Sequence, residues 1–93
     1  MAKKIHMDID SVRAVMDLLG RKESELKDFI TLLNRAVSGL EEIDWIGEAP
    51  SQFYGKYEEM RGDLMAQVEY METLASRLSQ AISEYEAAAA KLS

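Results

Sequence analysis

In the first half of this chain an aliphatic residue recurs at every seventh position, through Val12, Leu19, Leu26, Leu33 and Leu40. Seven residues are two turns of α-helix, so the run draws one apolar line along one helix and cannot be the alternation of a half-buried strand. The second half repeats the device in its own register with Tyr57, Leu64, Met71, Leu78, Tyr85 and Leu92. Calling these lines a in a heptad, the d positions are Val15, Lys22, Phe29, Ala36 and Ile43, then Phe53, Met60, Gln67, Leu74, Ala81 and Ala88. Met16, Leu18, Ile30, Leu32 and Val37 widen the first face at e and g, and Val68, Ala75, Ile82 and Ala89 widen the second at e. This is a broader apolar face than a two-helix seam needs.

Between the two patterns lies Glu41-Glu42-Ile43-Asp44-Trp45-Ile46-Gly47-Glu48-Ala49-Pro50. Gly47 can take the left-handed conformation that ends a helix, and Pro50 suits a first helical turn. Asp8 or Asp10 can cap the first helix by accepting from its free N–H groups. The spacing predicts helix one over about 9–43, a turn at about 44–49 and helix two over about 50–90, each roughly 50–60 Å long. A link this short makes the helices antiparallel, so the expected fold is all-α, a two-helix hairpin in one domain spanning residues 1–93. The polar patch Gly20–Glu25 could be a second loop and give three helices, but the phase runs unbroken from Leu19 to Leu26 and favours one continuous helix. Gly39, Gly55 and Gly62 each cost about 1 kcal/mol relative to alanine inside a helix, and the pattern offers no reason for Gly62.

Leu19, Leu26, Phe29, Leu33 and Leu40 are expected to line the hairpin or dimer core with Met60, Leu64, Met71 and Leu78. Met16, Met60, Met65 and Met71 read as gap-fillers on or beside the stripe. In a lone hairpin Leu18, Ile30, Leu32 and Val37 are expected to flank the seam as exposed apolar surface, which monomers rarely leave uncovered. Two hairpins docked as a four-helix bundle would cover it. About 1,000 Å² of added apolar burial is a gross stabilisation of about 25 kcal/mol, before association costs are subtracted.

Composition removes most other functions. With 17 acidic against 11 basic residues the net charge is −6, the wrong sign for phosphate backbones or anionic membranes. The chain has no cysteine and one histidine, His6, so neither a thiolate metal site nor a thiol nucleophile is available. The pairs Glu41-Glu42, Glu58-Glu59 and Glu84/Glu86 point in different directions on a helix, and Glu69 with Glu72 lacks an accompanying histidine. All read as solvated face, as does the charged end of Lys22. No phosphate loop or nucleophile elbow is present. The expectation is a non-enzyme with no cofactor, metal, nucleic acid or small-molecule substrate. No stretch is apolar enough to span a membrane, and Met1–Asp8 lacks the apolar region of a signal peptide.

The connection carries the motif. Trp45-Ile46-Gly47 is a Trp-x-Gly tripeptide midway between two heptad stripes, followed by Ala49, Phe53 and Tyr57. In length, two-helix layout and this central motif, the chain resembles the WXG family of small type VII secretion proteins, the early secreted antigenic target-like group. The resemblance implies a hairpin closed by Trp45 and Gly47 and supported by Ala49, Phe53 and Tyr57. It implies a homodimer, or a heterodimer with a sister WXG protein, and a turn that faces the secretion machinery. It also implies recognition by the type VII secretion ATPase, and residence in the cytoplasm before export to the medium or cell surface without a cleaved signal peptide.

One family feature is missing, the C-terminal Tyr-x-x-x-Asp/Glu that the ATPase reads. Tyr85 is followed four residues on by Ala89 and Tyr70 by Leu74, while Tyr54 with Glu58 has the spacing at the wrong end of helix two. Either Tyr85-Glu86 is a degenerate signal, or a partner supplies it, or the chain is not itself exported. The alternative reading is a cytosolic coiled-coil adaptor or a targeting chaperone for a larger toxin-like partner.

Overall fold

The computed structural model describes residues 7–43 and 45–92. His6, the one histidine, and Asp44, expected in the turn, lie outside the described residues. Helix α1 runs Ile9–Glu41 and helix α2 runs Glu48–Leu92, packed as an antiparallel hairpin 70 Å long and 23 × 16 Å across. No described helix is long and apolar enough to cross a membrane.

The ends follow from local chemistry. Asp8 caps α1: its carboxylate accepts from the Ser11 N–H at 3.2 Å and from the Ser11 hydroxyl at 2.9 Å. Asp10 adds negative charge to the first turn, where the helix dipole favours it. The polar patch Gly20–Glu25 is helical throughout, so there is no third helix there. α1 stops at Glu41, two residues short of the expected end. Its last turn holds Glu41 and no basic residue, a charge the C-terminal dipole disfavours. The chain then tightens, with the Glu42 N–H donating to the Gly39 carbonyl and the Ile43 N–H to that of Leu40. Gly47 has φ +125°, but it sits at the entry to α2 and not at the end of α1 as the sequence suggested. α2 therefore opens at Glu48, and Pro50 falls among the first N–H groups that no helix can pair.

The seam departs from the expected one. Along α1 the seam is made of Val12, Met16, Leu19, Glu23, Leu26, Ile30, Leu33, Val37 and Leu40, all half-buried or buried, the a line joined by e; Ile9, Gly20 and Asn34 beside it are half-buried too. α2 answers with Tyr54, Tyr57, Leu64, Val68, Met71, Ala75, Leu78, Ile82 and Tyr85, again a with e. Apart from the half-buried Ala81, the d line is not in the seam. Phe29 is 51% exposed and Met60 43%, so these two do not belong to the hairpin core. Ile30 and Val37, expected outside, are buried with Tyr57, Val68 and Ile82, the apolar core among the described residues. The reason is rotational. Either flank of the a line can join it, and α1 has turned its e flank toward α2, which carries Val68 and Ile82 on the matching flank. Leu18 and Leu32 remain exposed, as expected.

Candidate protein-interaction surface

The closed end of the hairpin is built from four aromatic rings. The Trp45 indole lies 5.6 Å from the Phe53 ring and 5.9 Å from Tyr54, centre to centre. Phe53 meets Tyr54 at 5.5 Å edge-on and stacks nearly parallel to Tyr57 at 6.3 Å. These separations and tilts suit the ring quadrupoles. Tyr57 then ties the cluster to α1, its hydroxyl donating to the Asn34 Oδ1. A continuous path runs from the connection through Phe53 and Tyr57 to the other helix. Phe53 and Tyr57, expected to hold α2 against the turn, both lie in this ring cluster, whereas Ala49 is exposed and takes no part in it.

Trp45 is itself 37% exposed, so it braces the tip with one side and presents the other to solvent. The backbone beside it depends on Gly47. A Cβ there would meet no atom within 4 Å, so the requirement is the positive φ and not the space. The same open space surrounds Gly62, and nothing in the structure explains that glycine. The tip also exposes Ile43 and Ile46, the latter 87% accessible.

From the tip an uncovered apolar line descends the side of α1 through Ile43, Leu32, Phe29, Leu18 and Val15, on the d and g positions. Phe53, Met60 and Leu74 continue it on α2, all more than a third exposed. Near the tip the two helices form an apolar groove lined by Leu33, Val37, Phe53, Lys56, Tyr57 and Met60. Lys22 and Glu25 interrupt the line on α1, paired with each other at 3.0 Å.

At the open end an exposed ion pair flanks the apolar seam. Arg13 pairs with Glu86 at 3.4 Å, and Tyr85 is half-buried on the seam. Tyr85-Glu86, the candidate degenerate export signal, is thus engaged in the hairpin, and α2 continues as helix to Leu92. Tyr54, the other tyrosine with the right spacing to a glutamate, belongs to the aromatic cluster.

Sequence reasoning missed two features. Asn34 lies off every apolar line and carried no signal of its contact with Tyr57. Glu72, read as solvated face, instead bridges helices: Lys27 Nζ lies 3.2 Å from Glu72 Oε1 and 3.6 Å from Glu23 Oε1. Glu23 was legible as the one charged residue in the e line Met16, Glu23, Ile30, Val37. Among the described residues no group of three or more histidines, cysteines or carboxylates is placed to hold a metal ion. Comparison with the models of known protein families, with curated proteins and with solved structures gives no match for this chain.

Proposed function

We propose that the protein is a small non-enzymatic substrate or partner of a type VII secretion system, acting through helix–helix contact with a second copy or a sister WXG protein. The observation that carries the reading is the Trp-x-Gly connection. Gly47 has the backbone conformation that favours glycine, and Trp45 packs on Phe53 between two antiparallel helices. The uncovered line through Leu18, Phe29 and Leu32 supports association. Apolar surface of this extent on a narrow rod is normally buried against another chain. In this reading the protein waits in the cytoplasm and leaves without a cleaved signal, and Tyr85-Glu86 or a partner's tail addresses it to the secretion ATPase.

The test has two parts. Light scattering over a concentration series should give twice the 10.5 kDa chain mass, or one chain mass that doubles on adding a sister W-x-G protein encoded nearby. The tagged protein should reach the culture medium of its native host and stay in the cell when the type VII ATPase is deleted. Secretion unaffected by that deletion would overturn the reading. Retention in both strains, with capture of a larger exported toxin, would favour the targeting-chaperone alternative.

A further inference from the structure

The middle of the seam contains a charge where its neighbours are apolar. Glu23 occupies an e position between Met16 and Ile30, and its side chain is only 18% exposed. Its Oε1 is shielded from solvent and has no hydrogen-bond partner. Lys27, one turn along α1, reaches that oxygen at 3.6 Å as an ion pair and reaches Glu72 on α2 at 3.2 Å. Lys22, adjacent in sequence, is turned away to Glu25. From α2 the facing charge is Glu72, while the seam residues on either side, Met71 and Ala75, carry none. One ammonium therefore serves two carboxyl groups from opposite helices. The packing nearby is also thin: among the described residues of α1, none N-terminal to Ile30 is fully buried.

We propose that Glu23, Glu72 and Lys27 form a proton-operated latch in the middle of the hairpin. When Glu23 takes a proton from solvent it donates to the Glu72 carboxylate, Lys27 balances the remaining charge, and the helices close at this level. When Glu23 releases the proton, two carboxylates face each other over one lysine and the segment loosens. The electrostatics agree with this geometry. The neighbouring Glu72 carboxylate, then burial, hold the Glu23 carboxyl above its usual range. The Glu23 carboxyl and the Lys27 ammonium beside it hold Glu72 below its own. The signs follow from proton linkage. A carboxyl raised in the fold binds its proton more tightly folded than unfolded, so its contribution falls as pH rises from the usual carboxylate range through the raised one. A lowered carboxyl contributes above the usual range and loses that contribution as pH falls below it. The latch is therefore tightest around the usual carboxylate range and weaker on both sides. It does not rest on the secretion reading.

The experiment is thermal unfolding of the full chain, followed by helical circular dichroism from about pH 4 to about pH 8, around the ordinary carboxylate and histidine ranges. The proteins are the wild type, Glu23→Gln and the control Glu25→Gln. The control removes the same charge from an exposed site and so reports the general effect of lowering a net charge of −6. Near neutral pH, Glu23→Gln should melt about 4 °C or more above the wild type, and the gap should close on acidification as the wild-type Glu23 protonates. A gap that does not change with pH, or that Glu25→Gln reproduces, overturns the latch. Carboxyl-carbon NMR titration reads the site directly. The Glu23 midpoint should lie above those of the exposed glutamates, and a midpoint among or below them overturns the proposal. Light scattering on the same samples reports association separately, so failure of one idea is distinguishable from failure of the other.

Discussion

Phe29 and Ile30 are adjacent in sequence, similar in apolar character and opposite in fate: one is 51% exposed and the other 6%. They stand on the two flanks of one apolar line, and the hairpin has covered only the flank of Ile30. A two-helix fold has one partner helix to offer, so a face broader than one seam must leave part of itself outside. The covered flank makes the fold. The uncovered flank is the surface on which the functional proposal depends.

The largest expected effect breaks the covered side. Ile30→Ala should lower the unfolding free energy by about 3 kcal/mol in urea titration, because a buried branched side chain is lost where two stiff helices cannot collapse fully. A cost below about 1 kcal/mol would mean the seam does not run where it is described. Trp45→Ala should cost about 2 kcal/mol, less than the roughly 3 kcal/mol of a buried indole because part of the ring already meets solvent. A change below about 0.5 kcal/mol would move Trp45 wholly to the binding side of the comparison.

Smaller changes sharpen the tip. Tyr57→Phe removes the donor to Asn34 and should cost about 1 kcal/mol. Tyr54→Phe removes a hydroxyl that is buried without a partner and should be neutral or slightly stabilising. If both cost the same, the link between Tyr57 and Asn34 contributes nothing particular. Phe29→Ala should change the stability of an isolated hairpin by less than about 0.5 kcal/mol, as exposed positions do. At concentrations where copies associate, the same substitution should lower the solution mass toward that of one chain. A mass that does not respond would place the partner on another face.

Much of the fold was legible because it depends on local spacing. The seven-residue repeat requires helices, a carboxylate at Asp8 or Asp10 was readable as the cap and the structure uses Asp8, and Gly47 is where the backbone turns. The helix ends moved by only two residues, as the dipole penalty at Glu41 and the freedom at Gly47 displaced them. The resemblance pointed to Phe53 and Tyr57 at the turn, and both lie in the ring cluster with Trp45, whereas Tyr54, which joins them, was not among the expected supports.

The choice of flank was not legible. On α1 the d line is broken by Lys22 and the e line by Glu23, so apolar count alone does not separate them. That choice belongs to the rotation of each helix about its own axis, which is set by how side chains of the facing helix interlock. Here the flank with Ile30 and Val37 on α1 and the flank with Val68 and Ile82 on α2 were covered, and Phe29 and Met60 were turned outward. The pairing of Lys27 with Glu72 and of Tyr57 with Asn34 followed from the same rotation, because contacts between distant residues exist only once the helices are docked. Local repeat and capping chemistry thus made two helices and the bend between them, and packing between the helices decided which apolar surface became core and which stayed available to a partner.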